Sequence, residues 1–111
     1  MTVKEEFKII NQCLCIEMPG EIDHHNAKGI IDTADEMMCR EEVKHLVFDF
    51  SQTEFMDSSG IGIIIGRYKK IRCFGGKVFC IHANVQIRKI LYTAGLKSIV
   101  EIVEDSEYDY I

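Results

Sequence analysis

Tryptophan is absent, proline occurs once, and no basic run is longer than Lys69-Lys70. A single Pro and eight Gly in 111 residues exclude long disordered linkers, which draw heavily on those residue types. Thirteen Lys and Arg stand against eighteen Asp and Glu, and the resulting net charge of −5 works against nonspecific attraction to nucleic acid. The longest apolar patch, Ile61 to Ile65, contains a glycine and falls far short of the roughly 20 residues that span a bilayer. Neither nucleic acid nor a membrane is therefore expected as a partner. Met1 to Glu6 carries no apolar run after its charges, so no signal peptide is read there and a cytoplasmic location is expected.

Cysteine is present in an odd number and without a C-x-x-C pair: Cys13, Cys15, Cys39, Cys73 and Cys80. That pattern suggests neither a disulfide framework nor a zinc site, so reduced, buried thiols and no metal are expected. What the chain has in ordinary measure is apolar content, 47% hydrophobic with 28% charged residues. A domain of this length buries very roughly two-thirds of its unfolded surface, enough for one self-sufficient core. The expectation is one domain over residues 1–111, with a core from about 3 to 103 and a frayed tail from Glu104 to Ile111 that carries four acids.

Phe7 to Ile10 and Cys13 to Met18 are apolar-rich runs separated by Asn11-Gln12, a hairpin signal that sets Leu14, Ile16 and Met18 on one face. Pro19-Gly20 ends the second strand. Ala27, Ile30, Ile31, Ala34, Met37 and Met38 then recur at helical spacing, with Asp32, Asp35 and Glu36 on the wet side and Asp23 or Asn26 as cap. Leu46 to Phe50 is apolar at four of five positions, as expected of a central strand covered on both faces or nearly so. Ile61, Ile64, Ile65, Tyr68 and Ile71 describe a second helix, which Gly75-Gly76 terminates. Lys77 to His82 reads as a strand, Ile87, Ile90, Leu91 and Ala94 as a third helix stopped by Gly95, and Ile99 to Val103 as a last short strand. This order specifies an α/β domain: a mixed sheet with an N-terminal hairpin and parallel strands, covered mainly on one face by three helices.

Between the strand at Leu46 and the helix at Ile61 lie Asp57, Ser58, Ser59 and Gly60, small polar residues suited to a helix start. The hydroxyls sit at a positive helix end, and Gly60 and Gly62 remove bulk so that another molecule can approach closely. Several catalytic readings fail on residue pattern. The G-x-S-x-G elbow of hydrolases is absent around these serines. Asp23-His24-His25 matches the tripeptide of a metal-dependent phosphoesterase family, but only His45 and His82 remain as further histidines where two metals need several more ligands. Gly60-x-Gly62 lacks both the third glycine of a dinucleotide loop and the G-K-S/T of a P-loop. No cofactor and no enzymatic activity are expected.

A plain helix cap accounts for Asp57-Ser58-Ser59; a regulatory reading accounts for them too. Phosphorylating one hydroxyl adds nearly two negative charges beside Asp57 and repels any acidic partner surface docked there. A 100-fold loss of affinity needs only about 2.7 kcal/mol. Composition does not choose between Ser58 and Ser59, although Ser58, nearer the cap, should be less packed.

Gly20-Glu21-Ile22-Asp23-His24-His25, Phe55-Met56-Asp57-Ser58-Ser59-Gly60-Ile61-Gly62 and Gly66-Arg67-Tyr68-Lys69-Lys70 together resemble the anti-sigma factor antagonists of the STAS domain family. The resemblance spans roughly Val3 to Ile102. It implies a protein that binds an anti-sigma factor, itself a serine kinase, and so frees a sigma factor for transcription. Phosphorylation by that kinase inactivates such an antagonist, and a PP2C-type phosphatase restores it. Carried over, the first serine of the motif, Ser58, is the phosphoacceptor. Asp23 and Asp57 resemble acids of the partner-facing surface, Ser59, Gly60 and Gly62 would allow close approach, and Ile61 would contact the partner. The His24-His25 and Arg67-Tyr68-Lys69 matches point to the sigma F, sporulation-linked branch. General stress antagonists share the Asp-Ser-(Ser/Thr)-Gly-x-Gly core, and a constitutive STAS interaction module remains an alternative.

Overall fold

A computed structural model describes residues 6–104. β1 (Phe7–Ile10) and β2 (Cys13–Glu17) pair antiparallel, joined by Asn11 and Gln12 at φ 50° and 65°. Two successive left-handed residues make a tight turn whose twist matches that of the flanking strands. From β2 onward every pairing is parallel: with β4 (His45–Asp49), then β6 (Val78–Ile81), then β7 (Glu101–Ile102). The five-stranded order β1-β2-β4-β6-β7 is thus a mixed sheet with β4 at its centre. Three helices, α1 (His24–Arg40), α2 (Ser58–Arg72) and α3 (Val85–Thr93), and a short 3-10 turn at Leu96–Ser98 complete the frame. Among the described residues, no helix is long and apolar enough to cross a membrane.

One core holds the layers together. Leu14, Leu46, Phe48, Val78 and Cys80 of the sheet are buried with Ile30 and Ala34 of α1, Ile63, Ile64 and Ile71 of α2, and Ile87 and Leu91 of α3. On the reverse face Cys15, Val47, Phe79 and Ile81 are only half-buried. The apolar content of β4 implies near-complete cover on both faces; the alternation shows one covered face, because three helices suffice for only one. The thiols also differ from expectation. Cys80 alone is buried, and burial pushes its thiol up to about 12. Burial, helped by the neighbouring Cys15, raises half-buried Cys13 to about 11, while Cys39 and Cys73 are exposed.

Helix α2 is rotated from the stripe its isoleucines describe. Gly60, Ile63, Ile64, Arg67 and Ile71 face inward, whereas Ile61, Ile65 and Tyr68 are half-buried. That inward face takes in Arg67, 6% exposed, whose Nε lies 2.9 Å from Asp35 Oδ1 on α1. The helical stripe puts Asp35 in solvent; it is half-buried and also takes Lys70 Nζ at 3.1 Å, so the α1–α2 contact is ionic as well as apolar. On the truly wet side of α1, Lys28 pairs with Asp32 and Arg40 with Glu36, each at 2.6 Å and i,i+4 spacing. Gly76 passes so close to β4 that a Cβ there would meet the Lys44 carbonyl oxygen at 1.7 Å, which fixes glycine at the entry to β6. The expected frayed tail lies, from residue 105 on, outside the described residues.

Two strands escaped the sequence pattern. β3 (Glu21–Ile22) and β5 (Phe55–Met56) are two residues each and form a separate parallel ladder. Small as it is, that ladder sets the geometry of the candidate site.

Candidate functional site

Each strand of the small ladder runs directly into a helix. Glu21 pairs with Phe55 and Ile22 with Met56, and the Asp57 N–H then donates to the Ile22 carbonyl at 3.0 Å. The next residue along each strand, Asp23 and Asp57, is the N-cap of α1 and α2 respectively. Pairing two short strands in register therefore brings two helix N-termini, and two capping carboxylates, to one edge of the molecule.

At α1, Asp23 Oδ1 accepts from the backbone N–H of His25 at 2.9 Å and of Asn26 at 3.2 Å. Asn26 Oδ1 in return accepts from the Asp23 N–H at 3.0 Å, a reciprocal capping box with asparagine at the third position. Both residues considered as caps are thus used, Asp23 as the cap itself. The Asn26 N–H does most to hold the Asp23 carboxyl below its ordinary value; partial desolvation opposes it, and the His25 N–H and the two imidazoles add to it. The His24 and His25 rings lie 3.9 Å apart between centroids at a tilt of 37°, and His25 Nδ1 lies 3.8 Å from Asp23 Oδ1.

At α2, Asp57 Oδ1 accepts from the Ser59 N–H at 2.7 Å. Ser58 is the first helical residue and exposed, whereas Ser59 is half-buried. The two glycines behind them differ. A Cβ on Gly60 would meet Met56 Sδ at 2.3 Å, so Gly60 is buried under a core methionine and its missing side chain serves internal packing. That corrects the expectation that Gly60 opens the surface to another molecule. Gly62 is exposed, a Cβ there would meet nothing within 4 Å, and it alone of the two keeps the outer face of α2 flat.

Beside Ser58 the surface falls into an open groove of about 470 Å³, lined by Met56, Asp57, Ser58 and Ile61 on one wall and by Lys89, Ile90 and Thr93 of α3 with its C-cap Ala94 on the other. A second hollow of about 450 Å³, which shares Met56, Lys89 and Ile90, carries it on past Phe55, itself 55% exposed. Of the residues singled out from sequence, Asp57, Ser58, Ser59, Ile61 and Gly62 stand together at the start of α2, and Asp23 reaches them through the ladder. Sequence reasoning misses the α3 wall: Ile90 falls in the helical stripe of α3, nothing in the sequence singles out Lys89, and only the packing of α3 against β5 marks them. Among the described residues no group of three or more His, Cys, Asp or Glu is placed to hold a metal ion.

The STAS domain family profile matches residues 5–108. The anti-sigma F factor antagonist of Paenibacillus polymyxa is 32% identical over 105 residues, covering 95% of this chain and 90% of its own. The anti-sigma-B factor antagonist of Bacillus subtilis (strain 168) is 23% identical over 107 residues, 96% of each chain. The solved structure of the anti-sigma factor antagonist SpoIIAA in its unphosphorylated form superposes with a TM-score of 0.79 at 23% identity, covering 92% of this chain and 90% of that one.

Proposed function

The chain belongs to the STAS domain family, and from that premise we propose that it is an anti-sigma factor antagonist whose docking is switched by phosphorylation of Ser58. In the unmodified form, the surface made by Asp23, Asp57, Ser58, Ser59, Ile61 and Gly62 binds an anti-sigma factor that is also a serine kinase, and the sigma factor is released. The single observation that carries this reading is the exposed Ser58 at the start of α2, next to the Asp57 cap and lining an apolar groove.

In the switching step, Ser58 Oγ attacks the γ-phosphorus of ATP bound to the kinase. ADP leaves, the hydroxyl proton passes to a base on the kinase, and the chain keeps the phosphoryl group. The protein supplies a positioned nucleophile and no catalytic group of its own. A dianion then stands beside Asp57 and at the mouth of a groove where a partner's apolar side chain must lose its water. Taking that dianion out of water in such an interface costs several kcal/mol, more than the roughly 2.7 kcal/mol that a 100-fold loss of affinity requires. A PP2C-type phosphatase reverses the step by hydrolysis.

The 32% identity to an anti-sigma F factor antagonist favours sigma F, and with it sporulation transcription, over a general stress sigma factor. Incubation with the kinase and ATP, followed by intact-mass and peptide analysis, tests the assignment. One added phosphate on Ser58 is expected, and Ser58→Ala should accept none while still binding the kinase. Phosphate on Ser59, or none, refutes it.

A further inference from the structure

Phosphate on Ser58 would meet a surface that is mostly acidic. Asp57 caps the same helix, Asp23 stands across the β3–β5 ladder, and Glu54 lines the adjoining hollow. His24 and His25 belong to the Asp23 side, with His25 in contact with that carboxylate. The exception is on α3. Among the described residues Lys89 is the one cation lining the groove that Ser58 also lines, and it has no ion pair there. Thr93 lies one turn further along the same helix face and lines the same groove, so a hydroxyl donor accompanies the ammonium. The remaining walls are Met56, Ile61, Ile90 and Ala94, apolar side chains that leave the ammonium and the hydroxyl of α3 as the groove's donors opposite Ser58.

Resting on the reading of Ser58 as phosphoacceptor, we propose that Lys89 receives the Ser58 phosphate across the groove, so that modification closes the apolar hollow from the α3 side as well as charging its rim. An ammonium and a phosphate form a charge-assisted hydrogen bond, and the four-carbon stem of the lysine covers apolar surface while its head pairs. The unmodified protein, with no anion at Ser58, leaves Lys89 in solvent and the hollow open to a partner's apolar side chain. One modification thereby changes both the charge and the shape of the docking surface.

The test uses the full chain with phosphoserine installed at position 58 during translation, and follows the second ionisation of the phosphate, ordinarily near pH 6, by ³¹P NMR. Removing a paired cation removes stabilisation of the dianion, so Lys89→Gln is expected to raise that pKa by about half a unit or more, and Lys89→Arg to hold it near the parent value. Lys69→Gln, exposed on α2 and outside the groove, is the control and should leave it in place. Amide spectra of each variant confirm that the fold is intact. A shift with Lys89→Gln no larger than with Lys69→Gln overturns the proposal. Because the phosphate is placed without a kinase, that result is separate from the functional reading, whose failure shows instead as an anti-sigma factor that binds phosphorylated and unmodified protein alike.

Discussion

Asp23 shows how one side chain both shapes the site and makes it sensitive to acid. Its carboxylate accepts two backbone N–H bonds at the start of α1, and these hold its pKa below the ordinary 3.8. A group with a lowered folded pKa contributes stability that is fully present above its unfolded value and is lost as pH falls through the folded one. Thermal unfolding of the parent should therefore lose ground against Asp23→Asn as pH falls from neutral through and below the ordinary 3.8, since asparagine keeps an acceptor but does not titrate. Parallel melting curves with a pH-independent gap would contradict this. Ser58 differs from its neighbour in exposure and in what it faces: it is exposed and lines the groove, while Ser59 is half-buried and gives its N–H to the Asp57 cap. Gly60, by contrast, answers to Met56 beneath it, so the motif mixes residues set by the interior with residues facing out.

At the scale of elements, the hairpin and all three helices were legible because each repeats its period over several residues. The alternation of Leu14, Ile16 and Met18 placed β2, and the capping signals Asp23 or Asn26 and Asp57-Ser58-Ser59 placed the starts of α1 and α2, where the caps are Asp23 and Asp57. β3 and β5 were not legible, since two residues carry no period, and with them went the reason why Asp23 and Asp57 share an edge. The α3 wall was lost for a related reason, because nothing local in the sequence says that Lys89 and Ile90 flank β5. Asp35 misled in the other direction. A charged residue on the polar side of a helical stripe counts as wet until its partner, Arg67, is seen on the facing helix.

That pair makes the α1–α2 contact testable. Arg67 Nε and Nη1 and Asp35 Oδ1 are buried without an aligned hydrogen bond among the described residues, so the arginine depends on ionic contact for its compensation. Asp35→Ala should destabilise the protein by roughly 3 kcal/mol, because it strands a buried guanidinium. Adding Arg67→Met should restore most of that loss, which urea unfolding of the single and double variants would measure. Equal destabilisation by both would mean that the pair is incidental.

Taken whole, the molecule is a mixed sheet covered on one face by helices, with two helix N-termini gathered at one edge and, beside that of α2, an apolar groove left open among the described residues. Such a surface suits reversible docking: the groove gives a partner somewhere to lose water, and a hydroxyl at its mouth lets one covalent step change that gain into a cost. Nothing in the core need move for the switch to work, because charge and cover change at the surface alone.

The most direct measurement is a calorimetric titration of the anti-sigma factor with the protein carrying either serine or phosphoserine at position 58. The account predicts tight binding of the unmodified chain and affinity at least about 100-fold weaker for the phosphorylated one, a difference of about 2.7 kcal/mol. Equal affinities for the two forms would contradict it.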